Sequence, residues 1–325
     1  MTMEEKKYGV LVSVFSPCGE RFLPAGYKSD LSLEEKLERI AATECILGVE
    51  LDYPTDFEDP TKLKPLVARF GLQVSNVEID LFGHSKWQYG SLSSTDKKVR
   101  NEAIELCKRG MDGVVELGCN QISLWLGQDG FDYPMQVDYR SRWQNIIASI
   151  KEVGNYRADV NVCLEYKVKE PRTHIQLGTV GKALSIANSV GLKNVGVMLD
   201  VGHAIMAYEN PAESAALLSE FGRLFYVHLN DNFGFWDDDL IPGTVHLWET
   251  LEFLYWLEKL GYDGWYSLDM FPYREDPVAA CVQSVKNIET LIEIARKLDQ
   301  EKINLLQEAS NATGMIDLLR NAVLK

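Results

Sequence analysis

The sequence predicts a (β/α)8 TIM barrel followed by a C-terminal helical extension. Strand-like apolar runs alternate with segments of helical periodicity along the chain, and eight such pairs can be counted. Each of the four strands in the second half carries a side chain near its end that can bind a hard metal ion. Strict alternation of strand and helix implies a parallel sheet, and eight units close into a barrel whose strand ends meet at one mouth.

The order of the elements follows from apolar periodicity and from helix start and stop residues. A doubly wound open sheet is the alternative, but no Gly-rich phosphate-binding fingerprint follows the first strand. The predicted strands are 8–15, 45–54, 72–81, 121–127, 160–167, 195–203, 224–231 and 264–270. The predicted helices are 32–45, 59–71, 96–118, 139–154, 179–191, 211–222, 247–261 and 277–298.

The barrel is predicted to occupy residues 1–298, and a separate extension occupies residues 299–325. The apolar residues of this last segment are spaced as in two short amphipathic helices. Two placements remain open for them, because they could cap the barrel or pack on a neighbouring subunit. A homo-oligomer, either a dimer or a tetramer, is therefore expected.

The composition argues against several classes of protein. A net charge of −15 would repel nucleic acid over most of the surface. No apolar run approaches the ~20 residues that span a bilayer, and the first residues lack the apolar core of a secretory signal. We expect a cytoplasmic protein with neither a membrane nor a nucleic-acid partner. Its six cysteines lack CxxC spacing and are expected to be buried free thiols.

Four candidate metal ligands lie at the ends of the last four strands. Glu165, Asp200, His228 and Asp269 are separated by 35, 28 and 41 residues, about one strand–helix unit each time. Side-chain alternation places each of them opposite the apolar face of its strand, so all four should converge. A single carboxylate in such a position is commonly a helix cap or half of a salt bridge. An oxygen-rich set of four instead suits Mg²⁺, Mn²⁺ or Co²⁺.

A second set of candidate ligands accompanies the first. His203 follows Asp200 by three residues, past a glycine that lets the chain turn over the barrel mouth. In the loop 232–240, Asp237 and Asp239 share one face if the segment is extended, which leaves Asp238 opposite. With Asp200 as a bridge, these residues could hold a second divalent ion. The alternative interpretation is a solvated acidic turn.

Lys167 lies on the same strand face as Glu165, two residues further on. Its ammonium group could merely neutralise the surrounding carboxylates. It could also polarise a substrate carbonyl, a role that requires a positive donor near the metal-bound oxygens.

Several segments resemble the xylose isomerase and rhamnose isomerase families. Segment 164–172, LEYKVKEPR, is similar to their Glu-x-Lys-x-x-Glu-Pro pattern, with matches at Glu165, Lys167, Glu170, Pro171 and Arg172. The DVGH segment at 200–203 resembles their acidic-x-x-His element, and segment 228–240 resembles a histidine followed by a paired-Asp loop. Segments 89–104 and 124–134 are similar to parts of the rhamnose isomerases.

The resemblance implies a metal-dependent aldose–ketose isomerase that moves a hydride between C1 and C2 of a free monosaccharide. It implies two divalent-metal sites, with Mn²⁺ expected and Mg²⁺ or Co²⁺ as alternatives. The first is held by the four strand-end ligands, and the second by Asp200, His203, Asp237 and Asp239. Lys167, His203 and Asp237 are the expected catalytic residues. Trp125, His84 and Lys167 are expected to bind the substrate. Trp125 would form an apolar wall over the sugar; the alternative is an aromatic residue of the barrel core. His84 would open the sugar ring; the alternative is a loop histidine with no such role.

Three other functions compete with this one. A ketose 3-epimerase of the same superfamily uses a single metal and proton transfer at C3, which would leave Lys167 and the paired aspartates unexplained. An apurinic endonuclease-like nuclease would need more histidines and a basic groove. A non-catalytic sugar-binding barrel would need no second set of ligands. His174 and His246 are expected only to begin helices.

Overall fold

The computed structural model describes residues 6–19 and 22–324, and it confirms the predicted (β/α)8 barrel. Eight parallel strands close into a barrel, and two further short strands form an antiparallel ribbon outside it. In chain order the strands are β1 (Lys7–Leu11), β2 (Gly48–Tyr53), β3 (Gln73–Ile79), β4 (Gln121–Trp125), β5 (Gly130–Phe131), β6 (Asn161–Glu165), β7 (His174–Ile175), β8 (Val195–Asp200), β9 (Leu224–Leu229) and β10 (Trp265–Leu268). The ribbon consists of β5 and β7, and β10 closes the barrel on β1.

Helices follow the strands and surround the barrel. They are α1 (Leu33–Ala41), α2 (Pro60–Arg69), α3 (Lys97–Leu117), α4 (Tyr139–Tyr156), α5 (Val180–Val190), α6 (Val201–Met206), α7 (Pro211–Glu220), α8 (Leu247–Leu260), α9 (Pro277–Lys297), α10 (Gln300–Glu308) and α11 (Ala312–Val323). Most begin at a side chain that accepts a backbone hydrogen bond, as at Asp96 and Thr179, and α3, α5 and α8 end at a left-handed glycine.

Every barrel strand ends before the residue that the apolar pattern suggested, and β1 and β8 differ from it by the most. β1 ends at Leu11, because Val12–Phe15 form a turn of 3-10 helix. β8 ends at Asp200, whose side chain accepts a hydrogen bond from the His203 backbone and so begins α6. Helix α6 was missed by the sequence analysis because its residues continue the apolar run of the strand.

The main hydrophobic core lies between the barrel and its surrounding helices, whereas the inner face of the barrel is largely polar. At the bottom of the barrel, Cys163, Met198 and Tyr226 form a small separate cluster. Gly196 lets the Phe225 ring approach there, since a Cβ at this position would overlap the ring. The inner polar side chains therefore lie above an apolar floor and face the mouth.

The C-terminal segment forms the two predicted helices. Ile303 of α10 and Leu318 of α11 are buried, and the Tyr255 hydroxyl of α8 donates a hydrogen bond to Gln300 Oε1 at 2.7 Å. The extension thus packs against the outer helices of its own chain. A contact with a second subunit stays a prediction. All six cysteines are free thiols, and no described helix has the length and apolarity needed to cross a membrane.

Candidate metal centre

The four strand-end residues converge at the carboxyl ends of adjacent strands. Glu165 ends β6, Asp200 ends β8, His228 lies in β9 and Asp269 directly follows β10. One donor atom from each lies within 4.8 Å of the other three. The register explains this convergence, because Asp200 and His228 are direct partners across β8 and β9. We refer to these four residues as the quartet.

His228 presents its two ring nitrogens to different groups. Nδ1 faces the quartet, at 3.3 Å from Glu165 Oε1, 3.6 Å from Asp269 Oδ2 and 3.8 Å from Asp200 Oδ2. Nε2 faces away from the quartet and lies 3.2 Å from both carboxylate oxygens of Glu50. Nδ1 is therefore the nitrogen available to an ion, and Glu50 fixes the orientation of the ring.

Glu50 is the main residue that the sequence analysis missed. It is buried on β2, where Asn76 Nδ2 donates to Oε2 at 2.7 Å and the Tyr226 hydroxyl donates to Oε1 at 3.1 Å. The Ser267 hydroxyl also donates to Oε1. A buried carboxylate needs such donors. A glutamate between Val49 and Leu51 was a usable signal, because a charged residue inside an apolar strand must face a polar interior.

His203 lies beside the quartet on α6. Its Nε2 is 2.9 Å from Asp237 Oδ2, and its Nδ1 is 3.4 Å from Glu165 Oε1 and 3.8 Å from Asp200 Oδ1. Nδ1 is buried and has no hydrogen-bond partner within the described part of the chain. Burial lowers the pKa of His203, but the Asp200 and Asp237 carboxylates outweigh it and raise the pKa to about 9.

The loop after β9 directs Asp237 and Asp239 inward and Asp238 outward. Asp237 and Asp239 are buried, whereas Asp238 accepts a hydrogen bond from the Phe233 backbone at 3.0 Å. Asp239 has a φ of +49°, so the loop is not the simple extended segment that the prediction assumed. A backbone bridge between Asp231 and Leu240 closes the loop.

Asp237 is held by protein donors. Its Oδ2 lies 2.8 Å from Lys167 Nζ and 2.9 Å from His203 Nε2. Burial would raise the pKa of Asp237, but His203 and Lys167 hold it well below its usual range. Asn230 Nδ2 joins the two ligand sets, at 2.9 Å from Asp200 Oδ2 and 3.3 Å from Asp239 Oδ1. In this structure the second set forms a hydrogen-bonded network rather than a second tight cluster.

A pocket of about 630 Å³ opens beside the quartet. Trp125 and Lys167 are the part of its wall nearest the metal centre, with Lys167 Nζ 5.4 Å from the centre of the Trp125 ring. Phe82 packs edge-on against Trp125 at 4.6 Å between ring centres. Trp125 thus lies in the pocket wall and not in the barrel core. The rest of the wall consists of Phe82, Gln128, Lys169, Glu170, Pro171, Arg172, Thr173 and Trp236.

Comparisons with known proteins agree with this architecture. The sequence model of the xylose isomerase-like TIM barrel family matches residues 40–291. The chain belongs to the xylose isomerase-like TIM barrel family. A probable sugar isomerase of Mesorhizobium japonicum is 26% identical, and the match covers 93% of this chain and 73% of the relative.

Solved structures show the same fold at lower identity. An L-ribulose 3-epimerase superposes with a TM-score of 0.71 at 20% identity, covering 90% of this chain and 96% of that one. A D-tagatose 3-epimerase-like protein gives a TM-score of 0.70 at 22% identity, covering 90% and 99%. The predicted resemblance is confirmed at the level of the xylose isomerase-like family.

The residues of this xylose isomerase-like barrel fit a divalent ion. Burial raises the pKa of Asp269 to about 7, where His228 opposes the rise and Asp200 and Glu165 add to it. Burial also raises the pKa of Asp200. Buried carboxyl groups with elevated pKa values next to the orphaned Nδ1 of His203 indicate an excess of negative charge that a cation would relieve.

Of the three remaining histidines, only His174 differs from expectation. His84 is exposed, and its Nδ1 accepts a hydrogen bond from the Lys86 backbone at 3.0 Å, so it caps a 3-10 turn in a loop. Its contact with substrate stays a prediction, and Phe82 is the residue of this segment in the described pocket wall. His174 pairs in the ribbon and stacks on Phe131 instead of beginning a helix. His246 directly precedes α8, as expected.

Proposed function

We propose that the protein is a metal-dependent aldose–ketose isomerase that acts on a monosaccharide. The observation that carries this proposal is the pair of buried contacts that Asp237 makes with Lys167 and with His203, directly beside the quartet. A site that needed only one ion would not require this second buried group of charged side chains. The family and the sugar isomerase relative support the same class of chemistry.

Lys167 acts as a charged donor in this proposal. Burial alone would lower its pKa, but Asp237, Asp239 and Glu170 outweigh burial and raise it above the usual lysine range. The ammonium group therefore keeps its proton at neutral pH and polarises a substrate oxygen without acting as a base. Its position under Trp125, in the pocket wall, is suited to this contact.

The quartet would hold one ion, and His203, Asp237 and Asp239 would hold a second, with Asp200 as the bridge. Mn²⁺ is the proposed metal, with Mg²⁺ or Co²⁺ as alternatives, and such ions supply Lewis acidity toward the oxygens on the reacting carbons. In the overall reaction a hydride passes from C2 to C1 while a proton passes from O2 to O1, so no external oxidant is needed. Trp125 and Phe82 would exclude water from the reacting carbons.

A ketose 3-epimerase is the second candidate. The specific observation in its favour is that, among the residues that the structure describes, only the quartet forms a tight cluster, while Asp237 is paired with Lys167 and His203. One ion with two acidic residues would then suffice for proton transfer at C3. A nuclease is not favoured, because the described mouth is rich in carboxylates and the chain carries a net charge of −15.

The test is a screen of aldoses and ketoses with added Mn²⁺ or Co²⁺, in which the wild-type protein should form the C2 ketose from an aldose. Lys167→Met should lower turnover at least about 100-fold, the usual cost of removing one preorganised donor. The exposed Lys151→Met on α4 should leave turnover unchanged. Formation of C3 epimers alone, or full activity of Lys167→Met, would reject the isomerase.

A further inference from the structure

We propose that the outer part of the pocket binds a negatively charged group of the substrate through Lys169 and Arg172. The substrate would then be a sugar that carries a phosphate or a carboxylate, rather than a neutral monosaccharide. This inference rests on the proposed function, because it names the substrate class of the same site.

Lys169 differs from Lys167 in its partners. Lys167 Nζ lies 2.8 Å from Asp237 and 2.9 Å from Glu170, so its charge is compensated twice. Lys169 Nζ donates to the backbone carbonyl of Phe235, and among the described residues no carboxylate lies within ion-pair distance of it. An ammonium group has three donors, so two remain for a ligand. A half-buried lysine without a counter-ion in a pocket wall is a candidate anion ligand.

Arg172 supplies a second, more rigid donor. Its side chain is only 11% exposed, since Nη1 pairs with Asp132 and Nε donates to the Gln128 carbonyl at 3.4 Å. Within the described part of the chain, Nη2 has no hydrogen-bond partner. The planar guanidinium is thus held in place with one terminal nitrogen free. Held in this way, an arginine is suited to phosphate or carboxylate oxygens.

The charged side chains in the pocket wall are mostly cationic, whereas those of the chain as a whole are mostly acidic. The chain has 33 lysines and arginines against 48 acidic residues, whereas the wall of the pocket has three cations and one carboxylate. That carboxylate, Glu170, is engaged by Lys167 through Oε2. Because Lys167 and Arg172 are paired with Asp237 and Asp132, Lys169 is the cation of the described wall whose charge is left to attract a ligand of opposite charge.

The dimensions of the pocket fit the same substrate. Lys167 and Lys169 are two residues apart, so their Cα atoms are separated by at most about 7 Å. A sugar whose reacting end contacts Lys167 can therefore extend a substituent toward Lys169. The pocket volume of about 630 Å³ also leaves room beyond a single sugar ring.

The test compares the binding of three probes to the Mn²⁺-loaded protein at low salt. D-Fructose 6-phosphate, D-glucuronate and D-fructose would be titrated calorimetrically into the wild type, Lys169→Met and the exposed control Lys151→Met. The wild type and the control should bind one or both anionic sugars at least about ten-fold more tightly than fructose, in the range expected for charge-assisted hydrogen bonds. In Lys169→Met, the affinity for the anionic sugars should fall close to the affinity for fructose, and the affinity for fructose itself should be unchanged. Comparison of fructose 6-phosphate with glucuronate shows whether the site prefers a phosphate or a carboxylate.

Equal affinity of the wild type for all three probes would overturn the inference, and so would an anion preference that survives in Lys169→Met. A failure of the proposed function can be distinguished from a failure of this inference. If no sugar is isomerised but the Lys169-dependent preference is present, only the reaction is wrong. If neutral aldoses are isomerised without any anion preference, only the substrate class is wrong.

Discussion

Glu50 shows how a single side chain behind a candidate ligand can position the quartet, since it lies 3.2 Å from His228 Nε2. It binds His228 Nε2 and is itself held by Asn76, Tyr226 and Ser267. Its carboxylate is placed to accept the Nε2 proton, which would leave His228 Nδ1 for an ion in the quartet. Carboxylates in this position behind a ligating histidine raise the basicity of the ligand.

Replacing Glu50 by glutamine tests this role at nearly constant volume. Glu50→Gln should weaken Mn²⁺ binding about 10- to 100-fold, the usual effect of removing such a partner. Calorimetric titration of Mn²⁺ measures it, and circular dichroism checks that the barrel is folded. Glu116→Gln, on the exposed surface of α3, is the control. Unchanged Mn²⁺ affinity in a folded Glu50→Gln protein would contradict the role.

At the scale of elements, the junction of β8 and α6 is the most constrained segment of the site. Asp200 ends the strand, caps the helix and belongs to the quartet. Gly202 lies against the loop after β9, and its backbone N–H donates to Asn230 Oδ1 at 2.8 Å. A Cβ at Gly202 would lie 2.5 Å from that oxygen and 2.8 Å from Asn232 Nδ2.

Gly202→Ala should therefore displace Asn230, which holds both Asp200 and Asp239. We expect a loss of stability of about 1–3 kcal/mol, as for other overpacked sites, together with weaker Mn²⁺ binding. Chemical denaturation and calorimetry measure the two effects. The matched control is Gly181→Ala in the first turn of α5, where a Cβ would meet no described atom within 4 Å and stability should hold or rise by up to about 1 kcal/mol. Equal behaviour of the two variants would refute the packing argument.

The sequence was sufficient for the elements whose signal is local. Periodicity defined eight strand–helix units, and one ligand per strand end located the mouth. The ends of β1 and β8 were misplaced because apolar residues continue past the last hydrogen bond of the sheet. After Leu11 they form a 3-10 turn, and after the cap residue Asp200 they form α6. Glu50 was overlooked although a charge inside an apolar strand is a signal, and Phe82 was not identified because its contact with Trp125 joins segments that are distant in sequence. For Asp239, the loop conformation depends on tertiary hydrogen bonds that no local pattern encodes.

For the whole molecule, protons would compete with the proposed metal ions for the same buried groups. Asp269, with a pKa raised to about 7, and His203, with a pKa raised to about 9, must both lose protons to act as ligands. A raised pKa keeps each group protonated to a higher pH, so metal affinity should increase as the pH rises. We expect Mn²⁺ to bind at least about ten-fold more tightly at pH 8 than at pH 6 and to release protons. Calorimetry in buffers of different ionisation enthalpy measures the Mn²⁺ affinity and the number of protons released. Binding that is independent of pH and releases no proton would contradict this description of the centre.

The central claim is that the mouth of the barrel transfers a hydride between two adjacent carbons of one sugar. The most direct measurement is the reaction of an unlabelled aldose in D₂O with the Mn²⁺-loaded protein, followed by NMR of the ketose. Hydride transfer between C2 and C1 inside the pocket predicts a product with little deuterium at C1 and none at C3. A product fully deuterated at C1, or a ketose that gains deuterium at C3 as its configuration there changes, would contradict it.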